Sequence, residues 1–170
     1  MFPNRRRFTR NLRSRRFVAI NSRLVADNRN RALGILETVT HWAMAVAEIR
    51  GLALVGSHAR NTAGPDSDID LVLLAENPNG FRDAAWLTAI EWSRADVRAM
   101  KWSDEEYGVV WCRRIWFEPQ GEVEFAFAPL SWANPSPVDK GTRRVVSDGL
   151  RALYDPDGLL KRLALAVAYP

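Results

Sequence analysis

Apolar residues recur at helical spacing through Ala32, Leu33, Ile35, Leu36, Val39, Trp42, Ala43, Val46 and Ala47. This stripe predicts a packed helix that starts near Asp27 or Asn28, either of which can cap it. The period then changes. Leu52-Ala53-Leu54-Val55 is a short, continuous apolar run halted by Gly56-Ser57, which is the pattern of a buried strand. Residues 61–67 are rich in turn formers, and Asp68-Ile69-Asp70-Leu71-Val72-Leu73-Leu74 reads as a second buried strand. Residues 81–92 return to helical spacing, and 96–102 predict a third strand. Residues 108–118 and 122–128 flank Pro119-Gln120-Gly121, a hairpin signal. Three prolines make 129–139 irregular, after which 142–153 and 158–168 are again helical. The predicted order, α-β-α-β-α-β-β-β-loop-α-α, describes an α/β (α+β) domain: a small mixed sheet flanked by helices, with helices at the C-terminal end.

Composition narrows the picture. A chain of 170 residues, 47% hydrophobic, can bury one real core and is short for two. The net charge is +4, and its excess lies at the start: Arg5, Arg6, Arg7, Arg10, Arg13, Arg15, Arg16 and Arg23 all precede the first acid, Asp27. Residues 1–26 are therefore expected to be a basic, flexible arm, and 27–170 a single domain. Such an arm is either a solvated tail or a segment that binds RNA or an acidic partner by releasing counterions. No apolar run approaches the roughly 20 residues that cross a bilayer, and no signal-peptide pattern is present, so a cytoplasmic protein without a membrane partner is expected. Cys112 is the single cysteine, and His41 and His58 are the only histidines, which excludes an internal disulfide and zinc-ligand spacing. A metal, if used, must be held by oxygen.

The candidate chemistry lies between residues 55 and 74. Glycine after a strand lets the backbone approach a phosphate closely, and amides opening the next helix supply donors, so Gly56-Ser57 is a candidate phosphate grip. The Walker and dinucleotide-binding glycine patterns are both absent. Asp68-Ile69-Asp70 adds specificity, because alternate side chains of a strand share a face. Two carboxylates so placed in an apolar strand repel each other unless a cation lies between them, and magnesium suits a few carboxylates, water and substrate phosphates.

Val55-Gly56-Ser57-His58-Ala59-Arg60 through Ser67-Asp68-Ile69-Asp70-Leu71 resembles the signature of the polymerase-beta-like nucleotidyltransferase superfamily, especially its minimal bacterial members. The resemblance is specific over residues 52–74 and follows element order from 27 to 127. Asn61 stands where the family often has glycine, and asparagine tolerates the left-handed backbone. The resemblance implies an enzyme that transfers a nucleoside monophosphate from a nucleoside triphosphate, ATP by default, to a hydroxyl-bearing acceptor, with two magnesium ions or manganese in their place. It assigns metal binding and catalysis to Asp68, Asp70 and a third acid on a later strand. Glu122 and Glu124 are the candidates for that acid, and parity cannot separate them; Glu124, flanked by apolar residues, fits the family's pattern better. Gly56, Ser57, Arg60 and Ser67 are the implied nucleotide-binding residues, although Arg60 reads equally as a surface arginine.

The short helical tail leaves the acceptor open between a small molecule and a protein, and suits a pocket completed by a second subunit or a protein partner. The alternatives are a non-catalytic nucleotide- or partner-binding module on the same scaffold, and an RNA-binding protein acting through the basic arm. His41 and Cys112 read as structural, and most of the tryptophans as packing rather than base-stacking residues.

Overall fold

The computed structural model describes residues 10–169. Helix α1 spans Arg10–Ala45, and strand β1, Ile49–Val55, leads directly into the single turn α2, Gly56–Ala59. Strand β2 is Ile69–Ala75, and α3 is Ala85–Ala89. Strands β3 (Arg98–Tyr107), β4 (Val110–Glu118) and β5 (Gly121–Pro129) follow, and then α4 (Lys140–Ser147), β6 (Leu150–Tyr154) and α5 (Leu159–Ala168). The six strands form one sheet in the order β3-β4-β5-β2-β1-β6. Only β2 and β5 pair in parallel; every other pair is antiparallel. The mixed sheet flanked by helices is the expected fold class.

Alternation gives the sheet two faces. One face carries Leu52, Leu54, Ile69, Leu71, Leu73, Ile115, Val123, Phe125 and Phe127, nearly all without solvent exposure, and packs under α1 and the segment that holds Phe81, Trp86 and Ile90. Helix α1 contributes Ala32, Ile35, Leu36, Val39, Trp42 and Ala43 to this core; of the rest of the predicted stripe, Leu33 is exposed and Val46 and Ala47 lie beyond the helix end at Ala45. On the other face α4 and α5 cover β1, β2 and the end of β5, where Val55, Val72, Leu74 and Ala128 meet Val146, Leu160 and Leu163. The β4–β5 part of that face is left open beside α4.

Several expected elements differ. Helix α1 begins at Arg10 rather than near Asp27, so the boundary drawn at residue 26 falls inside an element and Asp27 and Asn28 cap nothing. No glycine or proline interrupts residues 10–33, and arginine, leucine and alanine favour helix. Residues 1–9 of the basic arm lie outside the described residues.

The helix expected over 81–92 is broken into short turns. Trp86 Nε1 donates to the Phe81 carbonyl at 2.8 Å and Trp92 Nε1 to the Leu87 carbonyl at 2.9 Å, so indoles take acceptors that a longer helix would use. The third strand runs five residues past Trp102, because Asp104 faces Arg113 across the ladder and is paired there. Residues 142–153 are not one helix: the chain leaves α4 at Gly149, whose φ of +121° suits glycine, and Leu150–Tyr154 completes the open edge of β1. Among the described residues no helix is long and apolar enough to cross a membrane.

Candidate active site

The buried run of β1 ends at Val55, and Gly56 turns the chain with φ +68° into α2. A Cβ on residue 56 would lie 2.7 Å from Asp70 Oδ2, so glycine is what allows the turn and the carboxylate to touch. The loop that returns to β2 is fastened to this turn. The Thr62 amide donates to the Ser57 carbonyl at 2.9 Å, His58 Nε2 lies 3.3 Å from the Ser67 carbonyl, and the Gly64 amide donates to Ser67 Oγ at 2.9 Å. Asn61 takes the left-handed conformation expected of it, with φ 59°. Gly56, Ser57 and Ser67 are thus brought into one turn system above the ends of β1 and β2.

Asp70 lies within β2, half-buried, whereas Asp68 is exposed and precedes the strand, which begins at Ile69. In the parallel β2–β5 ladder Asp70 is level with Glu124, and Ile69 with Val123. Continuing that register by one residue sets Glu122 level with Asp68, so both candidate acids stand beside a motif aspartate. Glu124 is the partner of the buried one. Burial first, and then the charges of Glu124 and Asp68, push the Asp70 carboxyl up from 3.8 to about 6, with Arg114 pulling the other way. Glu122 is raised too, by burial and by Asp68.

Arg114, on β4 directly opposite Glu124, answers this negative charge. Its Nη2 donates to Glu124 Oε2 at 2.8 Å, its Nε lies 2.8 Å from Glu122 Oε1 off the line of a hydrogen bond, and its Nη1 is 3.7 Å from Glu105 Oε1. Sequence reasoning overlooked Arg114. The signal was available: the hairpin at 119–121 fixes the register that puts it across from Glu124.

Arg60, expected at the nucleotide, is brought instead to the end of α4. Its Nη1 is 2.5 Å from Asp148 Oδ2 and also donates to the Asp148 carbonyl. Its stem packs on Gly149, where a Cβ would lie 2.8 Å from Arg60 Cγ. His41 is exposed, and His58 belongs to the loop fastening.

Gly56, Asp70 and Glu124 line a cleft of about 820 Å³ closed on one side by α4 through Thr142, Arg144 and Asp148, with Trp132 and Tyr107 at its walls. Cys112 also lines it, but burial and Glu124 push its thiol up to about 12, which keeps it protonated and unreactive.

All the donors around Asp70 are carboxylate oxygens carrying more negative charge than one guanidinium offsets, and this set fits a hard divalent cation. Among the described residues no group of three or more His, Cys, Asp or Glu side chains is arranged to hold a metal ion, and Arg114 lies against Glu122 and Glu124.

A family model described as a nucleotidyltransferase domain matches residues 43–124, from the last turn of α1 to Glu124 itself. No curated protein matches the chain.

Proposed function

We propose that the chain is a nucleotidyltransferase of the polymerase-beta-like kind, as the family-model match over residues 43–124 supports, and that its cleft transfers a nucleoside monophosphate, AMP from ATP, to a hydroxyl of a protein or small-molecule acceptor. The observation that carries this reading is the level pairing of Asp70 with Glu124, directly beneath a glycine turn that touches Asp70. Nucleotidyltransferase domains generally use divalent metals; here magnesium would be held by Asp68, Asp70 and Glu124, and would offset charge developing on the phosphates.

The chain's own residues then have separable tasks. Gly56 and the amides after it approach the triphosphate, and the Ser57 hydroxyl and Ser67 add hydrogen bonds there. Arg60 acts from the side, by tying the turn to α4 through Asp148. The acceptor oxygen attacks the α-phosphorus in line, pyrophosphate leaves, and the acceptor's proton passes to a carboxylate, for which Glu124 is best placed. Catalysis of this kind is mostly positioning and charge stabilisation, and the half-buried ladder position of Asp70 supplies both. The open part of the cleft beyond β4 and β5 is where an acceptor reaches the site.

Incubating the protein with magnesium, each labelled nucleoside triphosphate in turn and a cell extract identifies both nucleotide and acceptor. Label is expected from ATP, on a species that an Asp68→Ala, Asp70→Ala variant leaves unlabelled. Equal labelling by that variant rejects the site.

A further inference from the structure

Arg114 is the least expected member of the site. It is on β4, one strand in from the sheet edge, its side chain only 32% exposed, and it faces Glu122 and Glu124, exposed by 17% and 23%. Both glutamates come within 2.8 Å of the same guanidinium, one at Nε and one at Nη2. A cation bound between Asp70 and Glu124 would draw on the Glu124 carboxylate, whose Oε2 accepts a hydrogen bond from Arg114. Guanidinium and metal therefore draw on the same carboxylate, and the first is covalently fixed in place. Asp70 has no such partner and keeps its negative surroundings.

Resting on the metal-dependent reading above, we infer that Arg114 is a positioning residue that occupies Glu124 in the metal-free protein and must release it before a divalent ion can bind. Two consequences follow from the geometry. The metal-free site lessens the repulsion among four neighbouring carboxylates, because one fixed cation offsets half the charge of the pair on β5. The affinity for free metal is also lowered by the cost of breaking the Arg114–Glu124 contact, which favours an ion arriving together with triphosphate. The freed guanidinium then has an anionic partner in the arriving phosphates.

The test is manganese binding without nucleotide, read as free Mn²⁺ by electron paramagnetic resonance, on the full chain. Arg114→Met is expected to bind Mn²⁺ about tenfold more tightly than the unaltered protein, the scale on which neighbours of metal ligands act. Losing a nearby positive charge would itself tighten binding, so a second comparison separates the two causes. In a Glu124→Gln background, Arg114→Met is expected to have almost no effect, because the contested carboxylate is gone. A gain that persists with glutamine at 124 overturns the inference, as does unchanged or weaker binding in Arg114→Met. Should Arg114→Met not fold, Arg114→Lys reads the same competition: one ammonium cannot hold two carboxylates as the planar fork does, and Mn²⁺ affinity is expected to rise about threefold. No Mn²⁺ binding by any of these proteins would instead remove the metal reading itself.

Discussion

Gly56 and Asp70 are in contact across the β1–β2 ladder: the position a Cβ would take on residue 56 lies 2.7 Å from Asp70 Oδ2. Residue 56 also holds a positive φ of 68°. Gly56→Ala therefore displaces the carboxylate and strains the turn together. Transfer activity is expected to fall about 100-fold, as for an angstrom-scale misplacement of a reacting group. Stability should fall by about 1 kcal/mol. Initial rates and thermal melts measured on the same preparation check both, and an unimpaired rate would mean that the Gly56 turn does not set the position of Asp70.

Asp70 also gives the protein a pH signature. Its carboxyl is raised to about 6 in the fold from an ordinary 3.8, so between these values the native state holds a proton that the unfolded chain has lost. Stability from this group therefore declines as pH rises through that window, and the penalty is complete above it. Asp70→Asn should raise the melting temperature at about pH 8 in chelator and leave it nearly unchanged at about pH 4. Magnesium should lift the same penalty in the unaltered protein, because a bound cation stabilises the ionised form. Melts at the two pH values, with and without the ion, check the sign, and a larger gain at the acidic value would contradict it.

The part of the site that was legible in the sequence is the part encoded locally. Gly56-Ser57 after four apolar residues, and Asp70 within another apolar run, announce themselves because strand burial and turn chemistry are short-range. The same logic found the α1 stripe from Ala32 to Ala43. What was hidden depends on partners far along the chain. Leu150–Tyr154 has the composition of a helix and becomes a strand because β1 offers it an unpaired edge. Trp86 and Trp92 break a helix by donating to carbonyls at Phe81 and Leu87. Parity could not separate Glu124 from Glu122, since both share a face, and Glu124 was preferred only for its apolar flanks; the parallel register that sets Glu124 level with Asp70 was not legible in the sequence. The contact of Arg60 was hidden for the same reason: its motif is local, but its partner, Asp148, is 88 residues away.

Buried charge makes a prediction about the far face of the sheet. Arg113 is only 3% exposed, and its Nε and Nη2 each meet an Asp104 oxygen at 2.7 Å, with the guanidinium centre 5.4 Å from the Trp111 ring and 5.7 Å from that of Trp102. Asp104→Asn strands that cation in an aromatic setting. The expected cost is about 2 kcal/mol, below that of a fully buried pair because Asp104 is partly exposed. Arg113→Met added to Asp104→Asn should recover part of the loss, since the stranded charge goes with it. Urea unfolding of the two variants decides this, and a double variant less stable than Asp104→Asn would show that packing of the guanidinium, not its pairing, is what matters.

Arg60 is open to a test of whether it grips phosphate or ties the turn. It and Asp148 are 39% and 65% exposed, so their pair is worth little to global stability, under about 1 kcal/mol. Its effect should appear locally, because it joins α2 to the last residues of α4 on opposite sides of the cleft. If the tie is the role, Arg60→Met and Asp148→Asn loosen the same joint. Each should raise the KM for nucleoside triphosphate by a similar factor, about threefold, and the double variant should be no worse than either alone, since residues acting through one contact are not additive. A phosphate-gripping Arg60 gives a different pattern, in which Arg60→Met is far more damaging than Asp148→Asn and the two effects multiply. Steady-state kinetics on the three variants distinguish these outcomes, and the Asp148 contacts favour the first.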